Sequence, residues 1–265
     1  MNILFIGDVF GRPGRETVKK VLPALRLEHS IDLVVANAEN MHHGKGVSDK
    51  QIQELKGCGV DFFTSGNHVW KVNSIYEYLD KTDYPLIRPA NYPESVPGRG
   101  EQVVNLKDGR KVLVINLMGR VFMHQNIDCP FRKADEIMEK YKDQKMDAIL
   151  VDFHAEASSE KTALANYLDG KISVLVGTHT HVPTADERIL PKGTAYQSDA
   201  GMTGPYDSII GLEKESIIQN FIDQLPVKHE VAEGPTVFNA TLFKIADDGL
   251  HAINALRIQK YFNEI

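Results

Sequence analysis

Val174-Leu175-Val176-Gly177-Thr178-His179-Thr180-His181 is an apolar, β-branched run that stops at a glycine and then delivers two histidines one residue apart. Continued back to Ile172, it has the length and composition of a buried strand. In extended backbone that spacing places both imidazoles on one side of the chain. Two imidazoles just past the C-terminal end of a buried strand suit a cation. A lone His-x-His is a weak motif, equally at home in a surface loop. The other strand ends decide the matter.

Four more apolar runs finish in polar groups. Asn2 to Ile6 ends in Gly7-Asp8, and Ile31 to Ala36 ends in Asn37-Ala38-Glu39-Asn40. Val60 to Thr64 ends in Ser65-Gly66-Asn67-His68, and Ala148 to Phe153 ends in His154. In open α/β sheets, ligands bind beyond the carboxyl ends of the strands. Singly, each group has a structural explanation: Asp8 caps a turn, Asn67 forms an Asx-turn, His154 is a hydrogen-bonded core histidine. None of them would stabilise an apolar core, so their recurrence at strand ends points to a shared site.

Between the strands, helical spacing predicts helices over Arg15 to Glu28, Ser48 to Lys56, Ser74 to Leu79, Phe131 to Tyr141, Ser159 to Leu168 and Glu213 to Asp223. Gly11-Arg12-Pro13-Gly14 reads as a turn. Hairpins are predicted around Lys107-Asp108-Gly109-Arg110 and Pro191-Lys192-Gly193, and two closing strands around Asp247-Asp248-Gly249. Alternating β and α units with added hairpins predict an α/β fold of two packed sheets with helices outside, in one domain over residues 1–265.

The composition, 42% hydrophobic and 25% charged over 265 residues, is that of a globular chain able to bury a sizeable core. Cys58 and Cys129 have no metal-site or redox spacing, the N-terminus has no signal-peptide pattern, and no run approaches ~18 apolar residues. A cytoplasmic protein with no membrane attachment is expected. A net charge of −6 argues against stable binding of a nucleic-acid polymer, but not against a small phosphorylated ligand. Gly11 to Gly14 lacks the Lys-Ser/Thr of a phosphate-binding loop and is no dinucleotide fingerprint.

Gly7-Asp8, Gly66-Asn67-His68, His154 and Gly177-Thr178-His179-Thr180-His181 fall in the order found in the calcineurin-like metallophosphoesterase superfamily. Asn37-Ala38-Glu39-Asn40, Arg88 to Pro93 and Gly201 to Asp207 resemble its YmdB-like branch of bacterial phosphodiesterases. The resemblance implies a four-layer α/β/β/α sandwich of two packed mixed sheets with a two-metal centre. By the same resemblance, Asp8 and His181 bind one metal with Asn40 nearby, Asn67, His154 and His179 bind the second, and Glu39 bridges them. That mixture of oxygen and imidazole donors suits transition metals, divalent or mixed-valence, with iron foremost and manganese, zinc or cobalt as alternatives to it. A hydroxide held between two such ions would attack phosphorus, with His68 as the general acid for the leaving oxygen. Two departures from the wider superfamily stand out: Phe10 replaces a histidine, and the bridging group is Glu39 rather than aspartate.

The resemblance thus implies a phosphodiesterase whose partner is a small phosphodiester, 2′,3′-cyclic nucleoside monophosphates foremost. A nucleotide phosphomonoesterase, or a metal-binding regulator acting through a partner protein, are the alternatives. His42, His43, Arg12 and Arg15 lie close enough in sequence to Asp8 or Glu39 to contact substrate, or to be solvated loop residues. Whether the chain forms a homo-oligomer stays open.

Overall fold

Period-two alternation of buried side chains builds the molecule in layers. A computed structural model describes residues 1–247 and 250–263. In the first sheet, β1 (Asn2–Ile6), β3 (Leu33–Asn37) and β4 (Phe62–Thr64) run parallel, joined by helical crossovers. β12 (Thr236–Ile245) pairs antiparallel with β1 and with β13 (Ala252–Phe262). The short β11 (Met202–Pro205) joins β12 and carries β2 (Asp8–Val9). The second sheet runs β5 (Glu101–Asn105), β6 (Lys111–Met118), β7 (Ala148–His154), β8 (Val174–Thr178), β10 (Ala195–Gln197), β9 (Arg188–Ile189). Its centre, β6 to β10, is parallel, and the predicted hairpins form its two edges.

Ile3, Phe5, Leu33 and Val35 of the first sheet meet Val112, Val114, Leu150, Val174 and Val176 of the second in one core. The alternate residues Leu4, Ile6 and Val34 face the other way, onto Val18, Val21, Leu22 and Leu25 of α1 (Gly11–Glu28) and Ile52 and Leu55 of α2 (Asp49–Gly57). Leu113, Ile115, Ile149, Val151 and Leu175 pack on Ala134 and Ile137 of α4 (Pro130–Tyr141) and Leu164, Ala165 and Leu168 of α5 (Ser158–Leu168). These are the four layers of an α/β/β/α sandwich. Each fully buried aliphatic contributes about 1.5–3 kcal/mol. The inter-sheet rows keep their parity to the strand ends, but there Asn37, Thr64, Asn116, Asp152, His154 and Thr178 take the buried positions.

Several expectations shift. The first long helix begins at Gly11 rather than Arg15, because Pro13 sits in the first turn, where a missing N–H costs nothing. Gly14 serves close packing, not a turn: a Cβ there would lie 2.3 Å from the Thr203 carbonyl oxygen. Ser48 caps α2 as read, its N–H donating to Gln51 Oε1 at 2.8 Å. The helix read over Ser74 to Leu79 is a 3-10 turn, Asn73–Ile75, followed by the single turn α3 (Tyr76–Leu79). The last helix is α6 (Lys214–Asp223). Of the turn read between the closing strands, Asp248 and Gly249 lie outside the described residues. Among the described residues no helix is long and apolar enough to cross a membrane.

Gly14→Ala is expected to destabilise by about 1–3 kcal/mol, the usual cost of overpacking, lowering the thermal midpoint by several degrees. An unchanged midpoint would show that the α1–β11 contact yields freely.

Candidate metal centre

The polar strand ends meet in two clusters that share one carboxylate. In the first, His154 Nε2 lies 3.0 Å from His179 Nδ1, 3.1 Å from Asn67 Oδ1 and 3.3 Å from Glu39 Oε2. In the second, Asn40 Nδ2 lies 3.0 Å from His181 Nε2, 3.2 Å from Glu39 Oε1 and 3.5 Å from Asp8 Oδ1. Glu39 thus turns one oxygen to each cluster. Gly66 makes room for this: a Cβ there would lie 2.2 Å from Glu39 Oε2 and 2.4 Å from His154 Nε2. Donor atoms of Glu39, His154 and His179 all fall within 4.8 Å of one another.

Hydrogen bonds on the far side of each imidazole point its free nitrogen inward. His181 Nδ1 lies 2.8 Å from the Ile210 carbonyl, which can only accept, so Nδ1 carries the proton and Nε2 a lone pair. Thr178 Oγ1 donates to Asp152 Oδ1 at 2.7 Å, so it accepts from His154 Nδ1 at 2.9 Å and leaves Nε2 facing the centre. His179 Nε2 faces the Glu156 carboxylate at 3.3 Å, which turns Nδ1 inward. Asn37 Nδ2 donates to Asp152 Oδ2 at 3.0 Å, and Asn37 Oδ1 accepts the Glu39 N–H at 3.1 Å. Ring nitrogens of three imidazoles, oxygens of two carboxylates and the Asn67 carbonyl therefore converge, which is the kind of donor set that suits a transition metal.

The titration behaviour agrees. Burial drives the Asp8 carboxyl well above its ordinary range, Glu39 adding to the effect and His154 opposing it. Glu39 is as buried, yet His154 and His68 outweigh burial and hold it well below the usual range. Burial resists charge on His154, but Glu39, Asp8 and Asp152 push it up to about 9. Burial, with His154 adding, takes His179 down to about 3, and burial also lowers His181. Burial raises Asp152 to about 6. The field that holds a proton on His154 is the field that would hold a cation in its place.

The His179–His181 segment departs from the extended reading. β8 ends at Thr178, and His179 and His181 have φ of 102° and 67°, so the two imidazoles do not share a strand face. His179 turns to His154, whereas His181 turns to Asn40 and Asp8. Left-handed backbone costs a non-glycine residue about 1–3 kcal/mol. Asp199 holds the loop: its Oδ2 accepts the Thr180 N–H at 3.2 Å and Oγ1–H at 2.8 Å, and pairs with Lys161 Nζ at 2.7 Å. Lys161 and Asp199 are both about 1% exposed.

His68 lies beside the second cluster, its Nδ1 3.0 Å from Asn40 Oδ1 and 3.4 Å from Glu39 Oε1. Arg15 faces elsewhere, bonded to Glu54 at 2.8 Å and to the Met41 carbonyl at 2.6 Å. His42 binds Gln51 at 3.1 Å and packs edge-on against His43, while His43 and Arg12 are exposed. Sequence reasoning gave no role to Asp152, Glu156, Lys161 or Asp199, and named Asn37 only as part of a strand end.

Two facing sheets whose tips carry two donor clusters joined by one carboxylate are the calcineurin-like α/β/β/α fold that the sequence resemblance implied. A family model described as YmdB-like protein matches residues 4–258. A 2′,3′-cyclic-nucleotide 2′-phosphodiesterase of Bacillus subtilis strain 168 is 48% identical over 259 residues, covering 97% of this chain and 96% of that protein. The crystal structure of a Mycoplasma pneumoniae protein, described as a novel phosphatase, superposes with a TM-score of 0.92 at 35% identity, covering 100% of this chain and 94% of that one. A hypothetical protein from Thermus thermophilus superposes with a TM-score of 0.91 at 42% identity, covering 98% and 99%. The chain belongs to the YmdB-like family.

Thr178→Val removes the hydroxyl that fixes the His154 tautomer. Metal affinity, measured by competition with a chelator, should fall about 10–100-fold with the fold intact; unchanged affinity would dismiss the Asp152–Thr178–His154 chain as decoration. Lys161→Met leaves the buried Asp199 carboxylate uncompensated, and urea unfolding should register a loss of about 3–5 kcal/mol.

Proposed function

We propose that the chain is a metal-dependent phosphodiesterase acting on small cyclic nucleotides, 2′,3′-cyclic nucleoside monophosphates foremost. The observation that carries this is the inward convergence of three tautomer-fixed imidazoles on a carboxylate that presents one oxygen to each of two clusters. The substrate class follows from the Bacillus subtilis relative at 48% identity. A net charge of −6 fits a small diester better than a nucleic-acid polymer.

Asn67, His154 and His179 would hold one ion and Asp8, Asn40 and His181 the other, with Glu39 between them. Iron is the preferred metal, with manganese, zinc or cobalt as substitutes that the same donors accept. Two ions bound there would supply a hydroxide nucleophile and neutralise charge on the phosphoryl oxygens. The remaining steps belong to side chains. His68 has Nδ1 engaged by Asn40 and Glu39, which leaves Nε2 for the leaving oxygen. Asn40 Oδ1 faces His68, and its amide nitrogen faces Asp8, Glu39 and His181. Turning the amide over exchanges oxygen for nitrogen at almost the same positions. Oδ1 then joins the donors, the amide N–H₂ donates to His68 Nδ1, and the imidazole proton moves to Nε2. A proton at Nε2 is what a general acid for the 2′- or 3′-oxygen requires.

Protein purified without chelators should contain about two transition-metal ions per chain and hydrolyse 2′,3′-cyclic nucleotides faster than the matched monoesters. Chelation should abolish turnover, and Glu39→Gln should lower both metal content and rate. His68→Ala should lower kcat about 10²–10⁴-fold while metal content stays constant. Preference for monoesters would replace the diesterase assignment with a nucleotide phosphomonoesterase.

A further inference from the structure

We infer that the cavity beside His179 receives the nucleobase of the substrate, with Phe122 as its stacking platform; the inference rests on the diesterase reading above. The cavity measures about 540 Å³ and is lined by Asn67, His179, Glu156 and the loop residues Phe122, Met123, His124 and Gln125. Small-molecule sites run from about 300 to 1,000 Å³. Asn67 and His179 also belong to the His154 cluster, so a phosphoryl group held at that cluster has its organic arm facing this cavity.

Phe122 has no packing reason for its position. It is 82% exposed and has φ of 61°, a left-handed conformation that bulky residues seldom adopt. The loop around it is nevertheless anchored at both roots. Glu160 accepts the Arg120 N–H at 3.0 Å and the Val121 N–H at 3.1 Å. The Asn91 amide donates to the Met118 and Asp128 carbonyls at 2.7 and 3.0 Å, and the Asp128 N–H returns to the Asn91 carbonyl at 2.9 Å. An aromatic ring held out into solvent by an anchored loop, at the rim of a cavity that opens on the donor cluster, is placed to meet a ligand.

The chemistry of that ligand follows from the walls. A phenyl face stacks on any planar heterocycle with little regard to its identity. Met123 adds a soft, adaptable contact, and the Gln125 amide offers one donor group and one acceptor to a polar edge. A nucleobase has both features: apolar faces and a hydrogen-bonding rim. A glycerol or plain sugar arm has hydroxyls for the amide but no planar ring for the phenyl face. Phe122 is thus a binding and specificity residue, not one that touches the reacting atoms.

The test compares 2′,3′-cyclic AMP with glycerol 1,2-cyclic phosphate, a base-free cyclic diester with the same five-membered ring, on the manganese-loaded enzyme. Phe122→Ala should lower kcat/KM for the nucleotide about 5- to 100-fold, through KM, while the base-free ester changes less than about twofold. Phe122→Trp should restore the nucleotide rate. Equal losses on both esters, or no loss on either, would overturn the subsite. If the wild-type enzyme hydrolyses neither ester, the diesterase reading fails by itself. Calorimetric binding of adenosine 2′-monophosphate to wild type and Phe122→Ala then decides the subsite: weaker binding supports it and an equal Kd refutes it.

Discussion

Four carboxylates, Asp8, Glu39, Asp152 and Asp199, are buried to within about 1% at the ends of two facing sheets, and compensating this charge is the constraint on which the site depends. A buried ion without a partner costs several kcal/mol, comparable to what two or three core aliphatics contribute. Lys161 answers for Asp199 at 2.7 Å. Asp152 is met by Thr178 and Asn37. That leaves Asp8 and Glu39 facing three imidazoles, of which His154 alone is pushed towards its charged form. In the protein by itself protons supply that compensation, one on His154 and one that burial favours on Asp8. Positive charge is what this arrangement lacks, and its lone pairs are aimed at the place where that charge belongs.

The layers were legible because each rests on local pattern: period-two apolar runs, helical spacing between them, and Asp-Gly or Pro-Lys-Gly turns at the sheet edges. The donors were legible for a related reason, since polar groups following a buried strand have few structural uses. Asp152 was overlooked although its signal was present. In Leu150-Val151-Asp152-Phe153-His154 a carboxylate interrupts an apolar strand at the same parity as His154, and Asn37 and Asn116 interrupt theirs alike. Lys161 left no such mark, because a lysine on a helix reads as a solvated face, and its partner lies 38 residues away. Glycines misled in the opposite direction. Gly14 looked like part of a turn and proved to be a point of helix–strand contact, which depends on Thr203 far along the chain.

The loop from His179 to His181 shows why extended-strand reasoning reached the right residues by the wrong geometry. Alternation would have put both imidazoles in one cluster. Two left-handed residues instead separate them, so one chain segment serves both clusters. Such a backbone persists only where its surroundings over-determine it. Asp199 does so by gripping Thr180, the residue between the histidines, through both its N–H and its hydroxyl, while its other oxygen accepts the Gly201 N–H at 2.8 Å. Gly177 lets Ser198 approach so closely that a Cβ would lie 1.9 Å from its carbonyl oxygen. The strain and its restraint are parts of one device.

Phe10 makes the two clusters chemically unequal. It is 3% exposed and meets His181 edge-on, with ring centroids 5.4 Å apart at 74°. Gly44, Gly204 and Gly211 close around it, and a Cβ on them would lie 2.7, 2.9 and 2.5 Å from its atoms. Three backbone segments are thus shaped to this ring, so the phenyl group is an integrated part of the packing around His181. The cluster at His154 keeps two imidazoles, whereas the cluster at His181 keeps one, with Asp8 and the Asn40 amide as neighbours. Oxygen-rich surroundings favour harder ions and nitrogen-rich ones favour borderline ions. The shared Glu39 therefore joins donor positions of different softness, and the position beside Phe10 is the one with the fewer imidazoles.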